Sequence, residues 1–279
     1  MAIAHSNLSQ QPLESMATEK SKSLTTLVKL FSIDMAAAAS SSFAVSPMIA
    51  IVDRSIIENT NGKTPLVQGL KQGFAAFVAS PHRFITTRQF RLVFAIYFST
   101  YMTANVIDTT SEFYQREPTE TAAAKFVGTT AVNMTACIIK DRAFTRMFGT
   151  VASKPLPLFS YLLFASRDSL TILSSFNAPP IVSKYIQTEG ILNSSKMSDT
   201  IAQLACPAVM QFISTPLHLL GLDLYNNSNS SSGQRLSLIR REYVKSVLAR
   251  VARIAPAFGI GGVGNNYVRS YRQQFLPNP

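Results

Sequence analysis

The sequence predicts an all-α integral membrane protein, a bundle of six helices arranged as three tandem two-helix repeats. Three observations carry that prediction. Only 15% of the 279 residues are charged, against about 25% in ordinary soluble domains, while 47% are hydrophobic. Six stretches are almost free of formal charge, and burying one ion at a bilayer centre costs about 2.5 kcal/mol or more. The connecting segments alternate between basic and acidic, as the positive-inside rule expects of a polytopic chain. A soluble helical domain has no reason to sort its charge by loop parity.

Residues 1–23, rich in Ser, Gln, Lys and Glu, read as a disordered tail ahead of a single membrane domain over residues 24–275. They lack the basic-then-apolar order of a secretory signal, and Glu14 and Glu19 argue against a transit peptide. The first crossing covers residues 35–52 and leads into a basic segment with Arg54, Lys63, Lys71, Arg83, Arg88 and Arg91. The second, residues 92–107, is followed by Asp108, Glu112, Glu117 and Glu120. The third, residues 126–139, gives way to Lys140, Arg142, Arg146 and Lys154. The fourth starts at residue 155, passes Arg167 and Asp168 and continues to residue 183, with Glu189 and Asp199 beyond it. The fifth, residues 200–217, precedes a run of arginines from Arg235 to Arg253, and the sixth covers residues 254–268. Six crossings leave both termini on one side. Several stretches fall short of the roughly 20 residues that span hydrocarbon, which fits moderately polar helices around a wet interior better than simple anchors.

The odd-numbered stretches end alike, and this marks internal repetition over residues 24–116, 117–190 and 197–275. The first reads Ser46-Pro47 and then Asp53-Arg54; the third reads Ile139-Lys140-Asp141 and then Arg146; the fifth reads Thr215-Pro216-Leu217-His218 and then Asp223. A basic amphipathic segment follows each, most clearly from Lys245 to Phe258, where Arg253-Ile254-Ala255-Pro256 opens the last crossing. On these residues the chain resembles the mitochondrial carrier family of solute transporters. The resemblance implies transport of a small solute by alternating access in the mitochondrial inner membrane, with the outer membrane or the peroxisome as alternatives. It also implies a monomer, no cofactor, and lipid partners, cardiolipin among them, at the basic helix ends.

The chain departs from the carrier pattern at the gate. Ile49 and Val52 stand where the first repeat of the family has ions, His218 and Gly221 stand there in the third, and Asp141 is retained in the second. The resemblance therefore implies either a modified gate or a carrier-like protein without transport activity that serves as a membrane adaptor or assembly factor. Pro47 and Pro216, as helix kinks, with Asp141 and Arg146 form the gate group on this reading.

An ionised pair within an apolar crossing is costly unless it faces a water-filled cavity or a ligand, so Arg167 and Asp168 are candidate solute ligands. By position they resemble the middle substrate-contact site of carriers, where Arg followed by an acid is the amino-acid form. Arg253 matches the third contact site, and Arg91 is the choice for the first, with Arg88 competing. Such a set fits an anionic or zwitterionic metabolite.

Other classes lack support. Cys137 and Cys206 are too few for a disulfide scaffold, and His5, His82 and His218 are too scattered for a metal site. No Ser-His-Asp or Cys-His set points to an enzyme. Gly259, Gly261 and Gly264 follow no strand, so close helix packing explains them better than a dinucleotide loop. The basic clusters lack interleaved stacking aromatics, which argues against nucleic acid.

Overall fold

The computed structural model describes residues 10–60, 63–148, 158–226 and 230–274, and among them there is no strand. Helix α1 runs Gln10–Thr60, so it begins inside the segment expected to be a tail. Two short helices follow, α2 Leu66–Ala79 and α3 Pro81–Ile85, and then α4 Arg88–Phe113 and α5 Pro118–Phe148. The next rod is continuous from Leu158 to Thr188: α6 Leu158–Ile172, a π-helical turn Leu173–Asn177, and α7 Ala178–Thr188. Helix α8 covers Ser195–Asn226. The last rod joins α9 Ser232–Ile254, a second π turn Ala255–Ile260, and α10 Gly261–Ser270.

Five of the six expected crossings thus lie inside longer rods, the fourth does so from residue 158 on, its first three residues being outside the described ones, and each long rod packs on the next in chain order. The last packs back on α1, which closes a ring. Among the described residues five segments have the length and apolar character to cross a membrane: Leu24–Ser55, Arg88–Phe113, Pro118–Lys140, Ser195–Gly221 and Tyr243–Gln274. The rod Leu158–Thr188 is not among them, because Arg167 and Asp168 and the polar residues that follow them, Asn177 and Lys184 included, leave it less apolar than the other five.

Local chemistry sets the helix ends. At the close of α4 the N–H of Arg116 bonds the carbonyl of Ser111 and that of Gln115 bonds Glu112, with Gln115 at φ 50°. The same paired pattern ends α7 at Gly190, φ 64°, where a residue without Cβ adopts the left-handed turn freely. Thr87 caps α4 through Phe90, and Ser231 with Gln234 forms a reciprocal capping box on α9.

Pro81 and Pro118 open helices, whereas Pro47, Pro207 and Pro216 lie within them, and at Pro216 and Pro179 a side chain satisfies the carbonyl that the proline releases. Pro216 provides no N–H for the carbonyl of Phe212, which accepts instead from the Tyr243 hydroxyl at 2.8 Å. Pro179 does the same to Ser175, whose carbonyl accepts from Gln203 Nε2 at 3.0 Å. That amide also reaches Phe258 O in the second π turn at 2.8 Å, while the Tyr101 hydroxyl donates to Ala257 O at 2.8 Å. The two π turns are therefore tied together at mid-bundle. Their meeting demands glycine: a Cβ on Gly262 would sit 2.3 Å from Gln203 Nε2, and one on Gly261 would sit 2.8 Å from the Tyr101 oxygen. The glycines of the last rod serve close helix packing, as expected.

The distribution of side chains is that of a multi-pass membrane protein. Phe43, Val127, Leu162, Val209, Ile213 and Ile260 face outward, while Asp34, Ser42, Ser46, Asp53, Thr100 and Asn105 are buried. Polar groups line the interior and apolar ones meet the surroundings, because hydrocarbon offers no hydrogen bonds.

Candidate solute site

Two layers of ions cross the bundle. Asp34 and Asp53 on α1 mark them, and a rise of 1.5 Å per residue separates the two by about 28 Å, close to the thickness of a hydrocarbon core.

The layer at Asp53 surrounds a narrow cavity of about 40 Å³, room for a water or two. Its wall draws on α1, α4, α5, α6 and α9 and includes Asp53, Tyr97, Asn133, Cys137, Lys140, Asp168, Thr171, Arg250 and Arg253. One Asp53 oxygen accepts from Lys140 Nζ at 2.9 Å and the other from Arg253 Nη1 at 3.1 Å. Arg167 grips Oδ1 of Asp168 at 2.6 and 2.8 Å and lies over the Phe164 ring. Its Nη1 meets His218 Nδ1 at 2.8 Å; a guanidinium only donates, so that ring nitrogen is the acceptor. Arg250 Nη2 donates to Gln211 Oε1 and Ser214 Oγ on α8. Among the described residues, then, four cations meet two carboxylates here.

The layer at Asp34 is built differently. Arg269 joins Asp34 Oδ1 at 2.9 Å and Asp108 Oδ2 at 3.0 Å, and Lys125 holds the same Asp108 oxygen at 2.8 Å. Thr109 donates to the second oxygen of Asp34. Asn105 and Asn265 exchange two amide hydrogen bonds of 2.9 Å, and Arg272 pairs with Glu112. A second cavity of 180 Å³ lies here, lined by Asn105, Asp108, Lys125, Gln203, Asn266 and Arg269 among others.

Aromatic rings separate the two cavities. Tyr97 and Phe258 form one wall and Tyr101 and Phe176 the other, with ring centroids 5.4 to 6.3 Å apart. These rings belong to α4 and to the π turns that Gln203 and Tyr101 fix in place.

Of the residues expected from the sequence, Arg167, Asp168 and Arg253 come together in the inner layer. Arg91 does not join them: it is exposed on the flank of α4 beside Phe43, Ile85 and Phe94. Pro47 is buried six residues before Asp53, and Pro216 precedes His218 by two, so both belong to the inner half. Asp141 and Arg146 lie on the last turns of α5, and their side chains are outside the described residues. Sequence reasoning did not single out Asp34, Asp53, Asp108, Lys125, Arg250 or Arg269 as site residues.

Residues 37–273 match the family described as probable citrulline exporters. The chain belongs to that family. The match takes in both cavities, the whole Asp53 layer and, apart from Asp34, the other ionic layer, and it places the chain among membrane transporters of an amino-acid-like metabolite rather than among enzymes. The mitochondrial-carrier resemblance rests on the motif residues alone. No curated protein and no solved structure matches the chain.

Proposed function

We propose that this chain carries citrulline, or a neutral amino acid of similar shape, across its membrane by alternating access through the central cavity. The observation that supports this most is the inner layer itself. Ions of both signs from α1, α5, α6 and α9 are gathered inside a bundle whose outer face is apolar, with a second ionic layer beyond the aromatic wall. Charges in such a place persist only when they pair with each other or serve a passing solute.

On this reading Asp168 receives the ammonium group of the solute, Arg167 holds Asp168 in place, and Arg253 with Lys140 and Asp53 sets the positive field that draws the carboxylate in. The ureido group of citrulline is uncharged, and Asn133, Thr171 and Tyr97 offer amide and hydroxyl partners on the same wall. A cavity of 40 Å³ does not hold an amino acid, so the inner layer opens before binding and closes over the solute. Pro47, Pro216, Asp141 and Arg146 belong to the gate at that end; the Asp34–Arg269–Asp108–Lys125 set is the gate at the other. The six rods then form three tandem pairs in the manner of a mitochondrial carrier, which supports the inner mitochondrial membrane over the outer membrane and the peroxisome. A single chain completes the ring and both layers, so the working unit is a monomer.

Purified protein in liposomes preloaded with citrulline tests the reading by counterflow of labelled citrulline. Uptake that falls at least about tenfold in Asp168→Asn and Arg253→Gln supports it. Absence of uptake for citrulline and related amino acids, together with stable capture of a membrane partner, moves the assignment to a non-transporting adaptor.

A further inference from the structure

Arg250 on α9 is the cation of the inner layer that meets no carboxylate among the described residues. It is only 7% exposed, and its side chain lines the cavity. Both hydrogens of Nη2 are used, on Gln211 Oε1 at 2.8 Å and Ser214 Oγ at 3.0 Å. Nε is buried with no acceptor, and Nη1 makes no hydrogen bond among the described residues. The contrast with its neighbours is sharp: Lys140 and Arg253 share Asp53, and Arg167 holds Asp168.

The support beneath Arg250 is rigid. Gln211 and Ser214 are fully buried, Gln211 Nε2 is tied to Pro207 O at 2.8 Å, and Ser214 donates to Gln211 Oε1 at 3.3 Å. The protein thus fixes the guanidinium by one nitrogen, and the Nη1 hydrogens of this cavity-lining side chain have no acceptor among the described residues. Burial of an uncompensated charge is strongly unfavourable, and the ligand class that relieves it best is a carboxylate, which pairs with the charge and accepts from the Nη1 hydrogens that Gln211 and Ser214 leave unused.

Across the same cavity, both contacts from Arg167 fall on Oδ1 of Asp168, so Oδ2 of that carboxylate has no partner among the described residues. We propose that Arg250, presented by Gln211 and Ser214, is the anchor for the α-carboxylate of the solute, opposite Asp168 as the ammonium partner. This rests on the reading of the cavity as an amino-acid site and deepens it. The pair recognises the α-amino acid head group and leaves the side chain to the polar wall. An amine that lacks the carboxylate is rejected, because Arg250 then stays buried and unpaired.

The test compares citrulline with N-carbamoylputrescine, which has the same ureido side chain and amine without the carboxylate, in wild-type, Arg250→Gln and Arg250→Lys proteoliposomes. Wild type takes up citrulline at least about tenfold better than the decarboxylated compound. Arg250→Gln loses that preference and raises KM for citrulline at least about tenfold, and Arg250→Lys lies between. A purely structural arginine would lower thermal stability when removed. Here Arg250→Gln is as stable in detergent as wild type or more so, since Ser214 still satisfies Gln211 Oε1. Selective thermal stabilisation of wild type by citrulline over N-carbamoylputrescine checks the same claim without a variant. Unchanged discrimination in Arg250→Gln overturns the anchor while leaving transport intact; a wild type that moves and binds neither compound overturns the transport reading and the anchor with it.

Discussion

The two ionic layers use the same side-chain chemistry and end in opposite states. Around Asp34 the acids and bases balance: Arg269 bridges two carboxylates, Lys125 shares one of them, and a reciprocal Asn105–Asn265 pair fills the space beside them. Around Asp53, among the described residues, cations outnumber carboxylates, and Arg250, which lines the cavity, keeps donors unused. In the Asp34 layer Arg272 Nε lacks an acceptor, as Arg250 Nε does in the other, but its charge is paired with Glu112; a network whose charges all pair is a latch, since no unpaired charge in it calls for a ligand. A network short of anions is a receptor that awaits one. The difference assigns gating to one end of the bundle and solute recognition to the other.

The comparison breaks most easily at its two aspartates. Asp53→Asn removes the carboxylate that Lys140 and Arg253 share and worsens an existing excess of positive charge, so it costs about 3–5 kcal/mol, read as a large drop in the melting temperature in detergent. Asp34→Asn leaves Arg269 on Asp108 and costs clearly less. Equal losses from the two substitutions contradict the claim that the layers differ. An intermediate effect is expected at Gln203→Ala, which strips the partner from the carbonyls of Ser175 and Phe258 and costs about 1–3 kcal/mol. Because Gln203 ties the two π turns that hold the aromatic wall, the same variant makes proteoliposomes leak citrulline faster than wild type does. The smallest effect belongs to Arg91→Ala. Arg91 is exposed outside the bundle wall, and its loss changes citrulline uptake by less than about twofold.

How far the layers were legible in the sequence follows from where the charge-free stretches stop. Residues 35–52 end at Asp34 and Asp53, residues 126–139 at Lys125 and Lys140, and residues 254–268 at Arg253 and Arg269. Each of those ions is a member of a layer. A hydropathy search treats an ion as the edge of a crossing, because an isolated charge in hydrocarbon is costly. Paired across helices, the same ion continues the helix inward, and this is why the rods run longer than the stretches that announced them. Arg167 and Asp168 were visible since they interrupt a stretch; Arg250 was hidden among the arginines of a segment that reads as a basic loop. The carrier-like ring was sought at Ile49, Val52 and Gly221, whereas α1 presents Asp53 one residue after Val52. Register errors of one or two residues turn a helix face by 100° or more, and only packing resolves them. The aromatic wall gave no warning at all, because rings spaced at helical intervals read as core.

The central claim is that an amino acid occupies the cavity at the inner layer, and Cys137 on its wall can report that directly. In a Cys206→Ser background, the rate at which a small thiol reagent modifies Cys137 is measured in proteoliposomes with and without citrulline. The account predicts that citrulline slows the reaction in a saturable way, with half-protection at its transport KM, and that N-carbamoylputrescine does not. A rate indifferent to citrulline at concentrations that saturate uptake would contradict it.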